Sequence, residues 1–241
     1  MDNKLGFSIA VAGKGGTGKT TISGIIIAQL TYLPSSRILA VDADPSANLG
    51  FVLKTPVEET LGDIREDTTK DMINFPPGMT KSQYIEYRIN QSVQEYDRFD
   101  LLTMGRSEGP GCYCYVNRLL RTALDTLSKN YSHVVMDCEA GMEHISRRTS
   151  REIDHLLVVS DLSLRGLDVA LRISLLADSL QNKIGSKHLI LNRCQSGNEN
   201  KLAEKIDDIV KHGEFKTKMF LQEDQSLLQM DVEGKSVFDL S

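Results

Sequence analysis

No tryptophan occurs in this chain, and cysteine appears only four times, at Cys112, Cys114, Cys138 and Cys194. Their uneven spacing excludes the disulfide framework of a small secreted domain, so the expectation is four thiols in a reducing compartment. No stretch stays apolar for the ~18 residues that a bilayer-spanning helix needs. The opening MDNKLGFSIAVAG is too short in its apolar part for a signal peptide and runs straight into a lysine–glycine loop. A cytoplasmic location without a membrane partner is therefore expected. A strong basic excess is also missing. The net charge is −5, with acids and bases interspersed, which argues against an electrostatic grip on nucleic acid.

What is present is a chain of 241 residues, 40% of them apolar, enough to build a sizeable core. Short apolar runs alternate with amphipathic stretches. Strands are predicted at residues 7–12, 37–41, 99–104, 133–136, 156–160, 189–191 and 215–221. Helices are predicted at 20–33, 116–130, 167–181 and 201–211, the last capped by Gly213. This alternation implies an α/β fold: one doubly wound, mostly parallel sheet with helices on both faces. Residues 55–98 are polar, hold Pro56, Pro76 and Pro77, and do not resolve into elements. One domain spanning 1–241, with a variable insertion at about 55–98, is the economical reading. On length alone the insertion is a candidate for contacting a partner protein.

Residues 13–20 read GKGGTGKT, with Thr21 next. Gly13, Gly18, Lys19 and Thr20 fit G-x-x-x-x-G-K-[ST] between a strand and a helix, the phosphate loop of nucleotide-binding ATPases. Gly13, Gly15, Gly16, Thr17 and Gly18 would let backbone N–H groups wrap ATP phosphates, and the helix N-terminus adds partial positive charge. Lys19 would neutralise the β- and γ-phosphates, Thr20 would hold Mg²⁺, and Thr21 would bond the α-phosphate. A second lysine, Lys14, is more than a phosphate loop needs.

KGGTGKT resembles the deviant Walker A ATPases, the class of MinD, ParA and the nitrogenase iron protein. The resemblance implies that Lys14 crosses a homodimer to the partner's nucleotide, a cation supplied in trans during phosphoryl transfer. It also implies roles for VDADP: Asp44 at the attacking water and Asp42 in the Mg²⁺ shell. Asp137, at the end of the strand HVVM, stands in the Walker B position for a Mg²⁺ water. Ala140-Gly141-Met142-Glu143 is similar to the class's second switch, where Gly141 would sense the γ-phosphate. Asn192, at the end of the strand LIL, matches the residue that bonds adenine, and QEDQSLL resembles the adenine-side loop.

The remaining oddity is GPGCYCYVN at 109–117. Cys112 and Cys114 could reach one soft metal ion, yet they supply only two of the four ligands that Zn²⁺ or Ni²⁺ takes. Two such loops facing across a two-fold axis would complete a four-sulfur site. The other reading, two small thiols packed in a loop, stays open on the residues alone. Taken together, GKGGTGKTT, VDADP, GCYCYVN and DCEAGMEHISRR resemble the CooC-type nickel-insertion ATPases over most of the chain. That resemblance implies a homodimer holding Ni²⁺ (Zn²⁺ at the same site) between Cys112 and Cys114 of each copy. It further implies delivery of nickel to apo carbon monoxide dehydrogenase or acetyl-CoA synthase. Two other functions compete. A MinD/ParA-type positioning ATPase would want a basic amphipathic tail or a basic face, and the chain ends GKSVFDLS. An iron–sulfur electron-transfer ATPase would want a cysteine soon after the second switch, where none occurs before Cys194.

Overall fold

Strands β1 (Phe7–Gly13) and β2 (Ile38–Ala43) are buried almost throughout, because each lies inside the sheet and is covered on both faces. The computed structural model describes residues 7–70, 76–106, 114–139, 153–179, 184–195 and 198–240. The further strands are β3 (Gln94–Glu95), β4 (Asp100–Thr103), β5 (His133–Cys138), β6 (Ile153–Asp161), β7 (Ile184–Cys194) and β8 (Thr217–Gln222). They form one sheet in the order β3-β4-β2-β5-β1-β6-β7-β8. Every pairing is parallel except β3 with β4. The expected doubly wound sheet is therefore present.

Helices α1 (Lys19–Leu30), α2 (Leu49–Leu53), α3 (Leu61–Lys70), α4 (Lys81–Gln91), α5 (Cys114–Leu127), α6 (Leu164–Ser179), α7 (Asn198–Lys201), α8 (Ala203–His212) and α9 (Gln225–Glu233) connect or cover the strands. Strand residues alternate between two cores, as their period of two requires. Ala10, Val41, Val134 and Val158 face α5, α6 and α8 through Leu120, Leu167 and Ile209. Ile9, Val11, Ala40 and Val135 face the other way, toward Ile22 and Ile27 of α1 and toward α2.

The segment 55–98 does contain structure. Leu61 and Ile64 of α3 and Ile89 of α4 are its fully buried anchors, and they pack with Val116, Leu119 and Leu120 of α5. Arg88 ties the segment together through Glu59 at 2.5 Å and Asp67 at 2.9 Å. This segment thus supplies a helical pair seated on the helix that begins with Cys114. Among the described residues no helix is long and apolar enough to cross a membrane.

Candidate functional site

β1 delivers the chain into the phosphate loop at Gly13. A side chain there would meet the Val159 carbonyl oxygen at 2.1 Å, so β1 and β6 can pair this closely only around glycine. The loop turns on itself beneath that point. The Lys14 carbonyl accepts from the Thr17 hydroxyl at 2.8 Å and from the Lys19 ammonium at 3.3 Å. Gly18 then caps α1 in the left-handed region, φ 91°, and a Cβ there would lie 2.5 Å from the Asn192 amide nitrogen. Lys19 is buried, which aims its charge into the loop and not into solvent.

Gly15, Gly16, Thr17, Thr20 and Thr21 lie between these points, along the turn and the first turn of α1. The first turn of α1 carries no acidic side chain, so its exposed N–H groups remain available to anions.

Beside the loop, Asp42 and Asp137 stand in register on adjacent strands β2 and β5. Both are essentially inaccessible to water. Burial pushes the Asp137 carboxyl up to about 6, against the lowering hydrogen bonds of Thr20 and Ser23 and the nearby Lys19 charge. Ser23 donates to Asp137 at 3.1 Å. Thr20, Ser23 and Asp137 thus gather hydroxyl and carboxylate oxygens, the hard donor set Mg²⁺ prefers. Burial also pushes Asp42 up to about 7, with the Asp137 charge adding to it. Asp42 behaves differently, however. Its two oxygens accept the backbone N–H groups of Asp44 at 3.2 Å and Leu49 at 2.8 Å. It therefore shapes the loop that carries Asp44, and Asp44 is the more accessible carboxylate of the pair.

A second recess lies between α1, the end of β7 and α9. Thr21, Asn192, Gln222, Glu223, Leu227 and Leu228 line a pocket there. Asn192 donates to the Thr17 carbonyl at 2.9 Å, so the side chain that would meet adenine is also fastened to the phosphate loop. Its amide oxygen and second N–H remain for a base.

Three contacts were not anticipated from the sequence. Arg193 donates to the Gly16 carbonyl at 3.2 Å from a left-handed backbone, φ 56°, where β7 slips register against β8. Ser23 supports Asp137, and Asp161 lies 3.7 Å from the Lys14 ammonium. Asp161 ends β6 beside Asn192, and the carboxyl ends of parallel strands are where α/β ligand sites gather, so its position was the available signal. Arg193, next to Asn192 near the end of β7, shared that signal.

Of the sulfur residues, Cys138 is a fully buried core thiol whose surroundings push its pKa up, as a structural cysteine. Cys194 is buried too, its thiol on the Leu191 carbonyl at 3.1 Å. Cys114 is disulfide-bonded, contrary to the expectation of thiols throughout. Cys112, with residues 107–113, lies outside the described residues, as does the Ala140–Glu143 stretch with Gly141.

The comparisons with known proteins agree with this geometry. A family model described as the CobQ/CobB/MinD/ParA nucleotide binding domain matches residues 8–237. The chain belongs to that family. An uncharacterised ATP-binding protein of Methanocaldococcus jannaschii is 41% identical over 234 residues, which are 96% of this chain and 90% of that protein. The carbon monoxide dehydrogenase accessory protein CooC of Rhodospirillum rubrum is 31% identical over 247 residues, covering 97% and 90% respectively. Among solved structures, the septum site-determining protein MinD of Pyrococcus horikoshii, complexed with Mg-ADP, superposes with a TM-score of 0.65 at 21% identity. That match covers 96% of this chain and 87% of the other. A ParA family ATPase from Chlorobium tepidum gives 0.65 at 20% identity over 97% and 91%. These structural matches establish the fold. The chain is a P-loop ATPase of the MinD/ParA class, binding ATP with Mg²⁺.

Proposed function

We propose that this ATPase is a nickel metallochaperone of the CooC type, delivering Ni²⁺ to apo carbon monoxide dehydrogenase or acetyl-CoA synthase. The observation that carries the reading is the Cys112-Tyr113-Cys114 pair, on a chain 31% identical to CooC over nearly its full length. The more similar relative is uncharacterised, so it neither adds to this reading nor opposes it. In the proposed cycle two copies meet across a two-fold axis. Each Lys14 leaves Asp161 and reaches the other copy's nucleotide, and the two cysteine pairs close a four-sulfur site for Ni²⁺ or Zn²⁺. Asp44 orients the attacking water, while Thr20 and Asp137 hold Mg²⁺ directly or through water. Asn192 reads adenine. The chain acts as one nucleotide-binding domain, and its inserted helices, seated on the helix that begins with Cys114, would contact the client enzyme.

A disulfide sulfur is a poor ligand, so the metal site requires Cys114 reduced. The test is anaerobic metal analysis with sizing, with reductant, with and without a non-hydrolysable ATP analogue. One Ni²⁺ per dimer, lost in Cys112→Ser/Cys114→Ser while ATP hydrolysis survives, is the expected result. Nickel retained by that double variant at the same stoichiometry sinks the ligand assignment. A protein that remains monomeric with metal and analogue both bound sinks the dimer.

A further inference from the structure

We propose that His155, His188 and Ser186 form a second metal site, for a first-row divalent transition-metal ion, at the amino-terminal end of the sheet. The three side chains come from adjacent strands and share one face. His155 pairs with Ser186 across β6 and β7, and His188 pairs with Leu157 one step further along. Their donor atoms form a closed triangle. His155 Nδ1 lies 3.1 Å from His188 Nε2. The Ser186 hydroxyl oxygen lies 2.8 Å from the first nitrogen and 3.0 Å from the second.

A ring nitrogen either carries a proton or offers a lone pair, never both. Hydrogen bonds can run through the serine, one ring donating to its oxygen and its own proton going to the other ring, with the Asp154 carbonyl a further acceptor at 3.3 Å. That arrangement leaves the two ring nitrogens close together with no bond between them. A cation held by all three atoms would engage every edge at once. Cis ligands of an octahedral ion with bonds of about 2.1 Å lie about 3.0 Å apart, the size of this triangle.

The surroundings favour the same state. The Thr217 hydroxyl sits 2.8 Å from His188 Nδ1. A proton on Nδ1 bonded there leaves the Nε2 lone pair directed at the triangle, the outer-shell arrangement of metal-binding histidines. Burial, with His155 and Lys216 nearby, lowers the His188 pKa, which favours the neutral ring. Phe7 packs on the His155 ring with centroids 4.7 Å apart and fixes its plane. Imidazole suits nickel, copper and zinc. Two imidazoles and a hydroxyl, completed by water and opposed by the Lys216 charge, make a weaker site than four thiolates. The site is also remote from the nucleotide. His155 pairs with Ile9, and Gly13 is four residues on, about 13 Å along the strand.

The experiment uses the full chain without a histidine tag, in the Cys112→Ser/Cys114→Ser background, so that loss of this site is separable from loss of the cysteine site. Ni²⁺, Zn²⁺ and Cu²⁺ are titrated by calorimetry, and the Cu²⁺ complex is examined by electron paramagnetic resonance. One ion per chain is expected, with splitting from two nitrogens. His155→Ala and His188→Ala should each weaken binding at least ~10-fold and leave splitting from one nitrogen. His188→Gln, which keeps a polar side chain, guards against a folding artefact and should lose the ion as well. His212→Ala, at an exposed imidazole bonded to its own helix through Asp208, should change nothing. No binding of any of the three metals, or binding unaltered in both alanine variants, overturns the proposal.

Discussion

Burial holds the Asp137 carboxyl up to about 6 and Asp42 up to about 7. Both values exceed the unfolded-state range near 4, so each group takes up its proton more readily folded than unfolded. Their contribution to stability is complete below the unfolded pKa and is lost as pH rises through about 6 to 7. The nucleotide-free protein should therefore lose melting temperature between pH 5 and pH 8, and Mg²⁺ with nucleotide should restore part of it at the upper end. Asp137→Asn removes the buried charge yet keeps an acceptor for Ser23. It should melt higher at pH 8 and flatten the profile, while Mg²⁺-dependent ATP hydrolysis falls by about 10²-fold or more. Scanning calorimetry and a phosphate-release assay check the two halves of that expectation. Arg193 offers a complementary case. Arg193→Gly relieves a left-handed backbone worth ~1 kcal/mol of strain but releases the Gly16 carbonyl. Its melting temperature should hold or rise while kcat falls.

At the scale of elements, β1 and the loop after it tolerate little. Gly13→Ala places a carbon against the Val159 carbonyl and should cost on the order of 3 kcal/mol or more, read as loss of soluble, folded protein. Leu120 in α5 joins the strand core to the inserted helices, and Leu120→Ala should cost about 2–5 kcal/mol in a denaturant melt. The central strands and α5, α6 and α8 were legible because buried strands and amphipathic helices differ in period, and α1 because it follows the phosphate loop. Helices α3 and α4 were not legible. Three fully buried aliphatic residues anchor them, spread over some thirty positions, too sparse for periodicity to register. Helix α9 was read as part of an adenine-side loop, because its polar start hides Met230, which is buried against the α1 side. In the site, the spacing of Lys14, Lys19 and Asp137 could be read directly. The contacts of Arg193 and Asp161 join residues far apart in sequence, and only their place at strand ends hinted at them.

For the whole molecule, the question is what the Lys14–Asp161 pair exchanges for. Both side chains are about two-fifths exposed, 42% and 40%, so the pair is worth ~0–1 kcal/mol and yields readily to a better anion. Lys14→Ala should leave monomeric ATP binding within about threefold but abolish nucleotide-dependent dimerisation, measured by sizing with light scattering. A dimer that persists in Lys14→Ala removes the lysine from the interface.

Asn192 and Arg193 are consecutive residues at one strand end, and each holds a carbonyl of the phosphate loop, Thr17 and Gly16. With adenine on Asn192, as proposed, the two ends of the nucleotide would be felt through a single hinge of backbone. A triphosphate carrying a different base would load the loop yet leave it slack. Base preference should then emerge in how fast the terminal phosphate departs, more than in how tightly the molecule is held.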